Sequence, residues 1–192
     1  MLERTTGRVH ARLAEPSKRT LGGICNVIPI LEVRLETFNP EHHSHRLREW
    51  LCRPHVARWW GDPHLAFENS LRCSPKYSAV IVADGAPVGY LCWQTLSEQE
   101  LQAAGLADLP DDLMDIDVLI GEPEYIDRGL GPRSLGLLLD RLRADPSVSV
   151  AGVGTSASND RALRAFKKAG FSLFREFHDP DLGSCWYMTV DV

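Results

Sequence analysis

Apolar and polar positions alternate over residues 30–38, with Leu31, Val33 and Leu35 on one side, which predicts a strand. The period then lengthens. Pro40 and Glu41 open a helix to about Cys52, with Leu47, Trp50 and Leu51 on its apolar side. Pro54 starts a second short helix, HVARWW, stopped by Gly61-Asp62-Pro63, and a third helical stretch is predicted over 64–71. Residues 77–83 and 88–94 are strand-like runs around the turn Asp84-Gly85-Ala86-Pro87, which together predict a hairpin. Ser97-Glu98-Gln99-Glu100 has the spacing of a capping box and opens a short helix that Gly105 closes. A strand over 112–120 is followed, after a loop, by an amphipathic helix over 129–143. A strand of small residues (149–155), a helix (158–169, with Asn159 near its cap and Gly170 at its stop) and a last strand pair (171–177 and 185–190) complete the chain. This order predicts an α/β sandwich built on a mixed sheet.

Length and composition narrow the class. The chain has 192 residues, 44% of them hydrophobic and 24% charged, as expected of one globular domain with a real core. We place that domain at 27–192 and read residues 1–26, polar and basic without an apolar secretory core, as a disordered extension. The net charge of −5 and the lack of a long basic run argue against nucleic-acid binding and for a small cationic partner. No apolar run is long enough to span a bilayer, so no membrane partner is expected. Five scattered cysteines (Cys25, Cys52, Cys73, Cys92, Cys185) form no CxxC or Cys/His cluster, so neither a disulfide framework nor a metal site is expected, and a reducing cytoplasm is the simplest setting.

The chemistry concentrates in residues 115–133, DIDVLIGEPEYIDRGLGPR. A strand bearing Asp115 and Asp117 leads into Arg128-Gly129-Leu130-Gly131, and a helix follows at once. Amides at a helix N-terminus lack intrahelical acceptors and favour negative charge, so this turn suits a phosphate group. It is neither a Walker loop, since no GK[ST] follows, nor a dinucleotide fingerprint, since residue 134 is Ser134. In regular alternation Asp115 and Asp117 share one face of their strand. Together these features point to group transfer from a phosphate-bearing cofactor.

Arg128-Gly129-Leu130-Gly131, followed by Asn159-x-x-Ala162 and Phe166-x-x-Ala169-Gly170-Phe171, resembles the acetyl-CoA motif of the GNAT superfamily of N-acetyltransferases. His55-Val56-Ala57-Arg58-Trp59-Trp60-Gly61, and Asp115-Ile116-Asp117 with Ile120-Gly121-Glu122-Pro123-Glu124-Tyr125, resemble the HxxxWWG and IDxxIGEPxY segments of aminoglycoside 6′-N-acetyltransferases. The resemblance covers about residues 30–190. It implies a GNAT-like, mostly antiparallel mixed sheet, flanked by helices, with a bulged fourth strand splayed from the fifth. Acetyl-CoA is the implied co-substrate. The pantetheine would lie along Val118, Leu119 and Ile120, and the pyrophosphate against Arg128, Gly129, Leu130, Gly131, Arg133 and Ser134, with Asn159 and Phe166 completing the cofactor site. Asp117 would bind and deprotonate the acceptor amine, and Trp59, Trp60, Asp115 and Glu122 would line the acceptor site.

The chain departs from the motif in three places. Pro132 removes one amide donor from the phosphate turn. Phe166 stands where a tyrosine often protonates the leaving thiolate, which leaves solvent, Tyr125 or Tyr187 as the proton source. Gly154 stands where a carboxylate often contacts the aminoglycoside. The expected activity is acetyl transfer to a primary amine, foremost the 6′-amine of an aminoglycoside, by a monomer or homodimer. The alternatives are acylation of another small amine, such as a siderophore hydroxylysine, and non-catalytic sensing of acyl-CoA.

Overall fold

The computed structural model describes residues 31–192. The expectation for residues 1–26, the cysteine at position 25 and the first residue of the opening strand lie outside the described residues. Seven strands form one sheet in the order β1-β2-β3-β4-β5-β7-β6, every neighbouring pair antiparallel except β4 with β5. The strands are β1 (Val33–Thr37), β2 (Ser78–Ala83), β3 (Ala86–Gln94), β4 (Met114–Ile120), β5 (Val150–Ser156), β6 (Ser172–Asp179) and β7 (Gly183–Asp191). Among the described residues, six helices flank them: α1 (Pro40–Leu51), α2 (Pro54–Trp60), α3 (Pro63–Arg72), α4 (Glu98–Ala103), α5 (Leu130–Arg143) and α6 (Asp160–Ala169).

Local chemistry explains where the helices begin. Asn39 accepts from the Glu41 amide at 2.9 Å, with Pro40 at the first helical position of α1. Asp62 does the same for α3 through the amides of His64 and Leu65, at 2.9 and 3.0 Å. The expected capping box of α4 is present, Ser97 and Glu100 each accepting the other's amide.

The helices cover both faces of the sheet. On one face α5 and α6 pack Leu135, Leu138, Leu163 and Phe166 against Ile81, Leu91, Ile116 and Val153. On the other, α1, α2 and α3 pack Leu47, Trp50, Val56 and Phe67 against Val80, Val82, Tyr90 and Leu119. Strand β2 is therefore buried along its whole length, which is why its sequence, SAVIVA, shows no polar alternation.

Several boundaries differ from expectation. The hairpin turn is tighter than predicted: Asp84 and Gly85 alone form it, with φ of 48° and 81°, the geometry of a two-residue turn. Pro87 lies inside β3, where it cannot donate to the ladder, and the register with β2 shifts between Ile81 and Val82 to accommodate it. Pro75–Tyr77 and Pro123–Tyr125 are short 3-10 turns rather than strand or loop.

The feature that shapes the site is the parting of β4 from β5. Only Met114 with Ala151 and Asp115 with Gly152 are paired, after which the strands diverge while each keeps its other neighbour. The expected splay is thus present. The register of β4 with β3 nonetheless runs unbroken from Asp115 to Ile120, so no bulge interrupts that side. Asp115 and Asp117 accordingly share one face of β4, with Leu119.

Candidate active site

Two adjoining cavities open where β4 leaves β5. The first, about 220 Å³, lies between the free edge of β4 and the starts of α5 and α6. Val118, Leu119 and Ile120 form one wall; Gly129, Leu130 and Gly131 form another; Asn159 and Phe166 close it from α6. These eight residues are the ones expected around a cofactor, brought together from three separate segments. Gly129 caps α5 with φ of 77°, a conformation glycine adopts without strain. Leu130 and Gly131 occupy the first turn, whose amides have no intrahelical acceptor. Pro132 has no amide to offer, and the Arg133 amide already bonds the Gly129 carbonyl at 3.4 Å.

Three expected cofactor residues stand elsewhere. Ser134 is fully buried, and its hydroxyl donates to the Leu130 carbonyl at 2.8 Å, inside its own helix. The Arg128 guanidinium lies over the Tyr125 ring, 5.2 Å from its centre, and neither Arg128 nor Arg133 lines the cavity. The positive charge comes instead from α6. Arg161, Arg164 and Lys168 line the groove, three or four residues apart and hence on one helix face. That spacing was visible in the sequence and was missed. Arg161 also holds Asp127 through two bonds of 3.0 Å, and Asp127 has the positive φ of 59° rare for a non-glycine.

The second cavity, about 320 Å³, lies toward α2 and α3. Trp59, Trp60, Val118, Asn159, Ala162 and Phe166 line both, so the two spaces meet at this wall. Asp117 opens into the second cavity, and both tryptophans are half-buried at its rim. Arg58 lies over the Trp59 ring, 4.7 Å from its centre. Gly154 lines the cavity without a side chain, but Asp179, at the end of β6, brings a carboxylate that the sequence reading did not single out.

The two acids of β4 have different surroundings. Asp117 lines the second cavity, where desolvation raises its pKa. Asp115 is not part of the cavity wall. It lies under β7 and accepts the Tyr187 hydroxyl at 2.8 Å. Burial, and next the Asp117 charge, push Asp115 up to about 7, against the pull of Tyr187. Tyr187 reaches Asp115 across Gly152, where a Cβ would collide with its hydroxyl. Of the two tyrosines weighed as proton sources, Tyr125 lines the first cavity, whereas the Tyr187 hydroxyl is engaged with Asp115.

Glu122 has a different place from the acceptor role expected of it. Its side chain is buried and accepts from Trp50 Nε1 at 2.9 Å, from Arg46 at 3.1 Å and from Arg53. Burial alone would raise its pKa, but these donors outweigh burial and hold it below the ordinary carboxylate range. Arg53 also donates to the Gly121 carbonyl at 2.9 Å, and His55 Nε2 lies 3.1 Å from the Ile120 carbonyl. Gly121 is glycine because the Trp50 indole occupies the space of a Cβ. The IGEP segment is therefore clamped by α1 and the start of α2, which ties the end of β4 to the helix that carries Trp59 and Trp60.

A GNAT acetyltransferase domain matches residues 39–179. The chain belongs to the GNAT acetyltransferases. This acetyltransferase is 30% identical over 164 residues to aminoglycoside N(6′)-acetyltransferases type 1 of Klebsiella pneumoniae and of Serratia marcescens, covering 77% of its own length and 78% of theirs. It is also similar to the crystal structure of the aminoglycoside acetyltransferase AAC(6′)-Ib in complex with coenzyme A and kanamycin (26% identity, TM-score 0.67, 84% of this chain and 94% of that one). The structure of AAC(6′)-Ib with ribostamycin and coenzyme A is a further neighbour (27% identity, TM-score 0.66, 84% and 93% covered). Acetyl-CoA is the co-substrate of such enzymes. The groove fits it: a splayed strand edge for an extended amide chain, two free helix amides for phosphate, and three cations along α6. No helix among the described residues is long and apolar enough to cross a membrane.

Proposed function

We propose that this acetyltransferase moves an acetyl group from acetyl-CoA to the 6′-amine of an aminoglycoside, by direct transfer in a ternary complex. The observation that carries the reading is that Asp117 opens into a cavity sharing six wall residues with the cofactor groove. An amine held by Asp117 would sit next to a thioester arriving along β4. It must lose a proton before it can attack, and Asp117 can accept that proton directly or through water. A backbone amide on the unpaired edge of β4 would stabilise the oxygen of the tetrahedral intermediate. The thiolate would leave past Phe166, with solvent or Tyr125 supplying its proton. Trp59 and Trp60 would offer aromatic faces to a sugar ring and its ammonium groups, and Asp179 a second carboxylate in place of the one absent at Gly154. The proposed domain, residues 27–192, contains the whole family match. Free thiols at Cys52, Cys73, Cys92 and Cys185 support a reducing, cytoplasmic setting.

The test is thiol release from acetyl-CoA with kanamycin, tobramycin and a hydroxylated lysine as acceptors, comparing wild type with Asp117→Asn. Loss of an acid–base group predicts a fall in kcat/KM of about 10²–10⁴-fold, with coenzyme A affinity retained. Near wild-type kcat/KM in the variant would remove Asp117 from the mechanism. Turnover of the lysine alone would replace the antibiotic as acceptor, and cofactor binding with no turnover would favour the sensor.

A further inference from the structure

Two residues in the wall of the proposed acceptor pocket have no part in that reading. Cys73 follows the last residue of α3, and Cys92 lies in β3, directly across from Asp117 on β4. Both line the cavity that Asp117 enters. Cys73 Sγ lies 3.2 Å from the Tyr77 carbonyl oxygen and 3.7 Å from that of Trp93, the residue after Cys92. Cys73 packs against the apolar cluster to which Cys92 belongs, and each thiol is the largest influence on the other, lowering the pKa of Cys73 and raising that of Cys92. Cys73 is half-buried and reaches the cavity, whereas Cys92 is 6% exposed behind it. Cys185 lines the same cavity from β7.

We propose that Cys73 and Cys92 form a redox-active dithiol in the acceptor pocket, which a hydroperoxide oxidises to a disulfide, disabling acceptor binding while leaving the cofactor groove intact. This rests on the second cavity being the acceptor pocket. The Cys73 thiolate attacks one peroxide oxygen and the O–O bond breaks, giving a sulfenic acid and hydroxide, which takes up a proton. The Cys92 sulfur loses its proton and attacks the Cys73 sulfur; the S–O bond breaks and water leaves. Two thiols and one hydrogen peroxide become one disulfide and two waters, two electrons passing from sulfur to oxygen. A disulfide needs its sulfurs about 2.05 Å apart. Closing to that distance draws the end of α3 onto β3, and α3 carries Ala66, Asn69 and Ser70 of the same cavity wall. It also shifts Cys92 against Asp117. The α5–α6 side of the groove is not moved.

The full chain is treated with hydrogen peroxide, mapped by peptide mass, and assayed for kanamycin acetylation and for coenzyme A affinity before and after reductant. The expected result is a Cys73–Cys92 cross-linked peptide lighter by two hydrogens. It is accompanied by an acceptor KM raised about tenfold or more, as displacement of a reacting group by about 1 Å would do. Coenzyme A affinity stays unchanged and dithiothreitol restores KM. Cys73→Ser and Cys92→Ser, each compared with its own reduced form, lose the reversible response. Absence of the cross-linked peptide, pairing of either residue with Cys185 instead, or the same reversible KM rise in Cys73→Ser would overturn the proposal. If reduced enzyme leaves kanamycin untouched, the acceptor assignment fails while the peptide map still decides the dithiol.

Discussion

Asp115 makes the stability of this enzyme fall with pH in a way that one substitution isolates. Its carboxyl rises from an ordinary 3.8 to about 7 through burial and the neighbouring Asp117 charge. The folded state therefore binds a proton that the unfolded chain has already released, throughout the interval between those values. Where the native state holds more protons than the unfolded state, stability declines as pH rises. The penalty is absent below about pH 4, grows toward pH 7 and is constant above it. A shift of about three units at 1.36 kcal/mol each gives at most about 4 kcal/mol, reduced by whatever Tyr187 does for the ionised form. Asp115→Asn keeps an oxygen to accept the Tyr187 hydroxyl and removes the charge. Urea denaturation of wild type and variant across this range should show little difference at the acid end. Near about pH 8 the variant should be the more stable by on the order of 2–4 kcal/mol. Asp115 and Asp117 titrate as a pair, so the difference between the two curves reports what the Asp115 charge does to that pair. A gap that stays flat with pH, or one in which the wild type gains on the variant as pH rises, would refute the raised pKa assigned to Asp115.

Three further outcomes follow from the same geometry. Pro132→Ala restores an amide to the first turn of α5, and a new hydrogen bond to a charged phosphate, worth about 1.5–3 kcal/mol, should tighten coenzyme A binding roughly tenfold or more by calorimetry; unchanged affinity would place the pyrophosphate elsewhere. Glu122→Ala leaves Trp50 Nε1 and Arg53 without their buried acceptor, so unfolding free energy should drop by on the order of 3–5 kcal/mol, and the loss should show in thermal melts before any effect on a folded enzyme's acceptor KM. Gly152→Ala places a methyl group where the Tyr187 hydroxyl lies, which should cost about 1–3 kcal/mol and carry the decline of stability to higher pH, because the bond from Tyr187 that holds the Asp115 pKa down cannot keep its geometry.

Features written within a few residues were legible in the chain. The capping box at Ser97, the glycine turn before α5 and the shared face of Asp115 and Asp117 each depend on nearby neighbours, and each was expected. What the chain hid depends on contacts made across long separations. Asp115 and Asp117 look equivalent on their strand. They differ because β5 pairs with β4 as far as Asp115 and no further, and because Tyr187, 72 residues away, reaches the first acid and not the second. Glu122 was expected at the acceptor site, because nothing near it in the chain shows that Arg46, Trp50 and Arg53, from around the junction of α1 and α2, surround it. The groove's positive charge was misplaced for a related reason. Arg128 and Arg133 are adjacent in sequence to the phosphate turn, but a helix of 3.6 residues per turn carries Arg133 off the groove side, while α6 crosses that side with Arg161, Arg164 and Lys168. The departures from the motif sort in the same way. Pro132 acts where it stands, by withholding an amide, and was readable as such. The absence of a carboxylate at Gly154 looked like a lost acceptor contact only while β6 was out of view; once β6 folds beside β7, Asp179 brings a carboxylate to the same cavity from 25 residues further along. Acceptor chemistry in this enzyme is therefore better judged from the charges around the cavity than from agreement with the motif position by position.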